Sequence, residues 1–274
     1  MNTLTTPARP STATPPGARG LLRDTGIVMV RELRPVVRDP FTLIFGMVQP
    51  LVFLALFGPL LVGSLGGRAV DTLGGSVWQW FVPAILVMTA LFGTSTTGAN
   101  LLFEFQTGAH ERMLVTPLSR PSLLIGRSLK EMVPLAGQAV IIVAVTIPFG
   151  FQLHPAGALV GLVLLTVVGV GLGSLSYALA IAVRKQEWMF WGVQQTVIFP
   201  LMLLSGMLLP LETGPGWMQV AARFNPLAYV VAAERTLFAG QLVSATVFWG
   251  WVAALMTAAV GLTVGVRAML KSAD

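Results

Sequence analysis

Cysteine is absent from this chain of 274 residues, so it has no disulfide framework, no thiolate metal site and no cysteine nucleophile. Charge is scarce as well, because only 10% of the residues are charged, against about 25% in an ordinary soluble domain. In contrast, 55% of the residues are hydrophobic and the mean hydropathy is +0.80. Little charge beside so much apolar surface indicates a polytopic membrane protein.

Several catalytic motifs are also missing. A P-loop needs a lysine directly after a glycine, and none of Lys130, Lys185 and Lys271 has one before it. The chain therefore cannot itself be a P-loop ATPase. The two histidines, His110 and His154, are far apart in the sequence, so no metal site is expected.

Six apolar spans account for most of the length. They lie at about 41–63, 78–102, 133–151, 156–183, 188–211 and 246–266, and most match the roughly 20 residues that cross a bilayer. None contains Asp, Glu, Lys or Arg, which argues against an ion-coupled carrier and against an intramembrane hydrolase that needs a base. The run from Gly169 to Ser176 in the fourth span is the expected point for a break.

The N-terminal region has two parts. Residues 1–20 are rich in Pro, Thr, Ala and Gly, which predicts a disordered tail. Residues 21–38 are amphipathic and predict a helix lying in the membrane interface, kinked or divided at Pro35. Its basic side, expected to face lipid phosphates, consists of Arg23, Arg31, Arg34 and Arg38.

A polar segment from Phe103 to Glu131 separates the second and third spans, and it mixes charged with apolar residues. We expect a helix to about Leu114, a break at Pro117, and a new helix with Pro121 in its first turn. It is too charged for a bilayer and too apolar for a loop that meets only water. The polar segment is therefore expected to be a docking site that another protein binds.

Basic residues predict the orientation. With six spans both termini share one side, and that side holds 14 of the 17 Lys and Arg residues. Because basic residues concentrate on the cytoplasmic side, we expect both termini and the polar segment to be cytoplasmic. The same distribution explains the basic composition without any nucleic acid.

The outer segment between the last two spans, about 211–244, is predicted to form a helical hairpin that dips into the membrane and returns. A short helix from Trp217 to Phe224 is followed by a turn and by a helix from Leu227 to Phe238 that stops at Gly240. The residues expected to shape or brace this hairpin are Asn225, Pro226, Tyr229, Glu234 and Arg235, with exposed charges as the alternative for the last two.

Polar residues inside the spans have two interpretations, since they can line a pathway or hydrogen-bond one helix to another. They are Thr94, Thr96, Thr97, Asn100, Gln138, Gln194 and Gln195. Small-residue pairs at Gly157/Gly161, Gly169/Gly173 and Gly261/Gly265 are candidates for a dimer seam.

Two stretches carry a family resemblance: ERMLVTPLSRPSLLIGRSLKE, residues 111–131, and FNPLAYVVAAERTLFAG, residues 224–240. The first resembles the cytoplasmic coupling segment of ABC type-2 exporter permeases, in particular the daunorubicin-resistance-type drug permeases, and the second is similar to the signature before their last span. The resemblance covers about residues 21–270. Ala109 and His110 depart from it, since the family usually has a Thr-Leu-like pair there.

The resemblance implies an all-α half-transporter with six transmembrane helices and a cytoplasmic coupling helix between spans 2 and 3. Its implied partners are a P-loop ATPase subunit that holds ATP and Mg²⁺, a second permease copy, lipid and a small-molecule substrate. This chain would bind no cofactor. The residues implied to couple to the ATPase are Glu104, Glu111, Arg112, Met113, Leu114, Pro117, Leu118 and Arg120. For Glu104 and Glu111, ion pairs to the interfacial helix or a solvated helix face are the alternatives.

The expected function is export of a hydrophobic drug, antibiotic or lipid from the bacterial plasma membrane. Three alternatives stay open. They are export of a polysaccharide or glycolipid by the same architecture, a membrane scaffold that transports nothing, and a channel or ion-driven carrier.

Overall fold

The computed structural model describes residues 18–38, 40–65, 76–107 and 120–271, and these residues form helices and no strands. This confirms the predicted all-α membrane fold. The α-helices in chain order are α1 (Ala18–Arg38), α2 (Pro40–Leu65), α3 (Val77–Gln106), α4 (Arg120–Lys130), α5 (Met132–Thr146), α6 (Pro155–Ala182), α7 (Glu187–Leu203), α8 (Gly216–Ala222), α9 (Pro226–Phe238) and α10 (Ala245–Lys271).

Five helical stretches are long and apolar enough to cross a membrane, and they coincide with predicted spans one, two, three, four and six. The fifth predicted span is shorter than expected, because α7 has 17 residues and ends at Leu203 rather than near residue 211. At about 1.5 Å per residue it is roughly 26 Å long. Gly206, with a φ of +71°, follows the end of α7 in a left-handed conformation that a helix cannot contain.

Helix α3 is the centre of the bundle. Within its apolar window 78% of the residues are buried, against 28–44% in the other four membrane-span candidates. Every residue from Phe81 to Leu91 is buried, and α3 packs against α6, α9 and α2. The other spans therefore keep broad apolar faces for lipid or for a partner subunit, and α3 is enclosed by its own chain.

Helix α6 runs unbroken from Pro155 to Ala182, so the expected break between Gly169 and Ser176 does not occur. Small residues instead allow neighbouring helices to approach closely. A methyl group on Gly171 would collide with the backbone of Thr257 and Ala258 in α10, and one on Gly261 would collide with the backbone of Gly171. Gly157 meets the carbonyl of Leu237 in α9 in the same way. At these positions the glycines serve packing within the chain, which accounts for Gly157 and Gly261 without a dimer seam.

Helix α1 continues through Pro35, so it is not divided there, and a kink at Pro35 stays a prediction. The residue that anchors it is Val28, 2% exposed, whose side chain lies against Gly126 of α4. The predicted basic side is solvent-exposed at Arg23, Arg31, Arg34 and Arg38. Ile27 and Val30 are also exposed and lie among these arginines, so α1 has one protein-facing side and one exposed side that mixes basic and apolar residues, which suits a helix in a membrane interface.

The outer segment contains the two short helices predicted for it, α8 and α9, joined at Asn225 and Pro226. Gly240 follows α9 with a φ of +88°, a value that favours glycine and ends the helix. Both helices and the turn between them are therefore confirmed.

Candidate functional site

A cavity of about 500 Å³ opens on the side of the bundle next to α4, and exposed residues such as Trp191 and Gln195 contribute to its wall. Helices α2, α3, α5, α6 and α7 all contribute to its wall. Six of the seven polar residues singled out within the spans line it, namely Thr94, Thr96, Asn100, Gln138, Gln194 and Gln195. Residues that are far apart in the chain thus share one wall, although sequence alone left their role open.

The hydroxyl groups that α3 contributes to this wall donate hydrogen bonds to backbone carbonyls of α3 itself. Thr94 donates to the carbonyl of Ala90 at 2.8 Å, Ser95 to Leu91 at 2.8 Å, and Thr96 to Gly93 at 2.6 Å. A helix satisfies a buried hydroxyl in this way without a second helix. The lone pairs of these oxygens remain, so the α3 wall presents hydrogen-bond acceptors to the cavity.

Helix α7 supplies an amide and an aromatic ring to the opposite wall. Gln194 is buried, and its side-chain oxygen has no hydrogen-bond partner among the described residues. Trp191, one turn earlier, lines the same cavity, as do the apolar Leu135 and Ile198. The cavity therefore combines acceptor oxygens with an aromatic and aliphatic surface, a combination typical of small-molecule sites.

Thr97 is the exception among the predicted polar residues, because it bonds helix to helix. Its hydroxyl donates to the carboxylate of Glu131, at the junction of α4 and α5, over 3.2 Å. Nearby, Ser176 of α6 donates to the carbonyl of Ser95 at 3.0 Å and accepts from the backbone of Gly98 at 3.2 Å. These bonds fix α3 against its neighbours beside the cavity.

A cluster of charged residues lies beside the cavity, next to α4. We define it as Glu32, Glu104, Arg127, Lys130 and Glu131. Its shortest ion pair joins Arg127 to Glu104 at 2.6 Å, and Arg127 also lies 3.6 Å from Glu32. Lys130 lies 3.7 Å from Glu32 and 3.9 Å from Glu131. The cluster thereby ties α1, α3 and α4 together, and Lys130 and Glu131 also line the cavity.

Tyr177 of α6 extends this cluster. Arg127 donates to its hydroxyl at 3.3 Å, and the guanidinium carbon lies 5.7 Å from the centre of its ring. Such contacts satisfy a guanidinium that has been removed from water. Glu104 is thus engaged inside its own chain, with Arg127 as its partner. The other residues expected to touch an ATPase, from Glu111 to Leu118, lie outside the described residues, as does the side chain of Arg120.

At the opposite end of the bundle, the predicted hairpin residues connect α9 to the rest of the chain. Asn225 caps α9 by accepting from the amide of Leu227 at 3.0 Å, and its side-chain nitrogen donates to the carbonyl of Leu201 at 2.7 Å. Pro226 occupies the first turn of α9, where a missing amide hydrogen costs nothing. Tyr229 donates to the carbonyl of Arg223 at 3.0 Å, which closes the turn between α8 and α9.

Arg235 makes the tightest connection at this end. It donates to the carbonyl of Trp80 at 2.9 Å and to that of Gly206 at 2.8 Å, and it stacks over the Trp80 ring at 3.7 Å. Gln79 adds a bond of 2.6 Å to the carbonyl of Phe238. The bracing role expected for Arg235 is therefore visible as direct bonds to α3 and to the residues after α7.

Glu234 is buried rather than exposed, with 0% accessibility and no hydrogen-bond partner for either carboxylate oxygen in the described part of the chain. Its carboxylate rests on Gly161 of α6, where a methyl group would collide with it. Burial raises the pKa of Glu234 to about 8, because a charge removed from water is unfavourable. The carboxyl group is thus held mostly neutral at neutral pH.

No group of three or more His, Cys, Asp or Glu side chains among the described residues could hold a metal ion. The arrangement is instead a cavity, a charged cluster beside it and a braced hairpin at the far end. Sequence reasoning missed Arg127, Glu32 and Trp191. Arg127 could have been found as a basic residue on the same amphipathic helix as Ile125 and Gly126, but its partners are remote in sequence.

Comparison with known proteins gives a consistent result. A family model described as ABC-2 type transporter matches residues 23–239. A protein named "Putative transport permease ycf38" from Cyanophora paradoxa is 31% identical over 79% of this chain and 74% of its own length. The daunorubicin resistance ABC transporter permease protein DrrB1 of Streptomyces coeruleorubidus is 28% identical over 73% of this chain and 70% of its own length.

A third relative is matched over a smaller part. The "Probable multidrug ABC transporter permease YbhR" of Escherichia coli K12 is 28% identical over 67% of this chain and 50% of its own length.

Proposed function

This chain belongs to the ABC-2 type transporter family, and on that premise we propose that it is the permease subunit of an ATP-driven exporter of hydrophobic small molecules. The observation that carries the proposal is the cavity among α2, α3, α5, α6 and α7, with the charged cluster directly beside it. A scaffold protein would have no need for a cavity of about 500 Å³ with both acceptor oxygens and a tryptophan.

The energy source is a separate P-loop ATPase that binds ATP and Mg²⁺. The chain has no lysine after a glycine and so cannot form a P-loop of its own. A second permease copy, identical or related, would complete the pathway, since the described spans other than α3 leave large apolar faces uncovered.

Movement of the ATPase reaches the cavity through the polar segment, Phe103 to Glu131. In this proposal the ATPase binds residues 111–118. Its movement is transmitted to α4, because α4 follows these residues directly in the chain. The far end of α4 holds Arg127 and Lys130, and Glu131 follows directly. These residues are paired with α1 and α3, and Lys130 and Glu131 line the cavity. A rigid-body shift of α4 would therefore change the charged cluster and the cavity together.

The substrate class rests on the cavity wall. Leu135, Ile198 and Trp191 favour a molecule with an apolar or aromatic body, and the unpaired oxygen of Gln194 favours one that also carries a hydrogen-bond donor. One relative described above is named for daunorubicin resistance and another as a multidrug permease, and we carry the drug substrate class to this chain as part of the proposal. An efflux assay with a fluorescent apolar drug and with a labelled polysaccharide precursor separates the two substrate alternatives.

The proposed orientation in the bacterial plasma membrane has both termini and the polar segment on the cytoplasmic side. Single-cysteine labelling tests it without background, since the natural chain has no cysteine. In intact cells, an impermeant reagent should label cysteines introduced at positions 70 and 215 and leave position 115 unlabelled. External labelling at position 115 contradicts the orientation.

The energy source is tested by purification. The chain alone should hydrolyse ATP no faster than background, and efflux should require a co-purifying partner that bears a P-loop. A matched control is the same complex with the P-loop lysine of that partner replaced, which should bind the permease and transport nothing. Efflux from vesicles that contain this chain without the partner would overturn the proposal.

A further inference from the structure

A second cavity, of about 480 Å³, lies between the turn that joins α6 to α7 and the C-terminal end of α10. Its floor is apolar, with Ile181, Val183 and Met189. Its rim carries three basic side chains, Arg184, Lys185 and Lys271. We call these lining residues the basic pocket.

The pocket follows from the packing of α6 on α10. Gly171 and Gly261 bring the two helices into close contact, and α10 continues to Lys271, beside the end of α6 at Ala182. The chain then turns tightly, with the amide of Gln186 bound to the carbonyl of Val183 at 2.8 Å, before α7 begins. Charged residues from two remote stretches are therefore held around one opening.

The three basic residues lack an internal counter-ion in the described part of the chain. All four ion pairs found there involve Arg127 or Lys130 of the charged cluster. The carboxylate of Glu187, close to the pocket in sequence, accepts instead from the side-chain amide of Gln106 at 2.8 Å. Arg184, Lys185 and Lys271 are exposed, so their positive charge is available to a negatively charged ligand.

The position of the pocket fits the boundary between hydrocarbon and headgroups. Helices α6 and α10 are both long and apolar enough to span, and the pocket is at their adjoining ends. Trp188, next to Met189 of the pocket, is 74% exposed, as expected for a tryptophan in the interfacial belt. A ligand here would meet charge above and an apolar surface below.

We propose that the basic pocket binds the phosphate of an anionic phospholipid headgroup, with the first part of an acyl chain along Ile181, Val183 and Met189. Basic pockets between membrane helices on the cytoplasmic side suit such headgroups, and that is the side on which the proposed orientation puts this turn. The site is separate from the transport cavity, since the two share no lining residue. Its occupant is a lipid of the surrounding membrane rather than cargo.

The test is a lipid titration of the purified full chain in detergent at about 0.15 M salt, followed by native mass spectrometry. Phosphatidylglycerol should bind saturably, and phosphatidylcholine should not. In the variant Arg184→Gln/Lys185→Gln/Lys271→Gln, phosphatidylglycerol should bind on the order of a hundredfold more weakly, since each basic residue near a membrane surface contributes about fivefold.

The single pocket variant Arg184→Gln, with an expected loss of about fivefold, is compared with a control that removes one exposed basic residue of the outer hairpin, Arg223→Gln. The control should weaken binding by less than about twofold, because charges beyond a Debye length are screened. Equal losses in both variants would mean diffuse attraction and would overturn the site. Unchanged binding in the pocket variant would overturn it as well. The melting temperature of each variant without lipid should match that of the natural chain. This measurement shows that a loss of binding is not caused by a loss of folding.

Two further arms separate the lipid from other ligands of the same charge. Inorganic phosphate at millimolar concentration should not displace phosphatidylglycerol, because it lacks the acyl chain that contacts the apolar floor. If phosphate displaces the lipid at an equal concentration, the pocket is a site for free phosphate and the lipid proposal is wrong. Pull-down of the partner ATPase should survive in the pocket variant. Loss of pull-down with phosphatidylglycerol binding intact would make the pocket a protein contact and contradict the proposal.

Discussion

The two ends of the bundle both bury charged residues, but they hold them in different ways. At the outer hairpin, the charge of Arg235 is bound to two backbone carbonyls and one aromatic face. In the charged cluster at the other end, side chains bind mainly other side chains, and three of the four ion pairs measure 3.6–3.9 Å. The first arrangement is anchored to the main chain and the second is not.

This difference indicates which end can move. A backbone carbonyl is fixed by its helix, so bonds to it fix α9 relative to α3. Ion pairs between side chains can exchange, and here Arg127 lies between Glu104 and Glu32 while Lys130 lies between Glu32 and Glu131. We therefore expect the charged cluster to change partners when α4 is pushed, with the outer hairpin moving as a rigid unit.

The largest effect is expected for the centre of the charged cluster. Arg127→Met should destabilise the chain by about 3–5 kcal/mol, because removing one partner leaves buried carboxylates without their cation. The measurement is thermal unfolding of the purified chain. The control Arg31→Met, at an exposed position of α1, should change little.

The double variant Arg127→Met/Glu104→Met sharpens this result. Replacing a whole buried pair with apolar side chains is often close to neutral, so much of the lost stability should return. If the single variant melts like the natural chain, the cluster does not hold α1, α3 and α4 together.

An intermediate effect is expected at the outer hairpin. Arg235→Lys keeps the charge but cannot reproduce two bonds and a stacked face, so we expect a loss of about 1.5–3 kcal/mol. Binding of the ATPase should stay intact. Arg223→Lys, an exposed arginine of the same hairpin, is the matched control. A loss of ATPase binding in Arg235→Lys without a loss of stability would reverse the assignment of rigid and mobile ends.

The smallest effect is expected for Glu234→Gln at pH 4.5 or below, since there the carboxyl group is neutral in both the folded and the unfolded state. The folded pKa of about 8 lies above the usual value of 4.5. The folded state therefore binds a proton that the unfolded state releases, and stability should fall as the pH rises from about 4.5 to about 8. The variant should lose this pH dependence, and Glu212→Gln at an exposed site should retain it. Identical pH profiles for the natural chain and Glu234→Gln would contradict the burial of this group.

The sequence predicted local features well because their causes are local. Apolar length predicted five of the spans, and the Asn225-Pro226 turn and Gly240 predicted the bounds of the outer helices. The shortened α7 was not predictable from hydropathy. Asn225 donates to the carbonyl of Leu201 near the end of α7, and Arg235 donates to the carbonyl of Gly206 in the turn that follows. Both partners are remote in the chain.

The candidate site was predicted in composition but not in arrangement. Polar residues in the spans were recognisable one by one, and six of them line one cavity, but only packing decides which of them do. Glycine spacing identified small residues without revealing that Gly171 and Gly261 meet within the same chain. Nothing near Arg127 in the sequence indicates its contacts with Glu104 and Glu32, since such pairs depend on how α1, α3 and α4 assemble.

The central claim is that a separate ATPase drives this chain through the polar segment, and its most direct test lies at Glu111 and Leu114, outside the described residues. Pull-down of the ATPase and ATP-dependent efflux should be measured for Glu111→Lys and Leu114→Ala, each normalised to the amount of chain in the membrane. An interface hot spot contributes about 2 kcal/mol or more, so pull-down should weaken by roughly thirtyfold while the membrane level stays near normal. Full pull-down and full efflux in both variants at normal abundance would contradict the account.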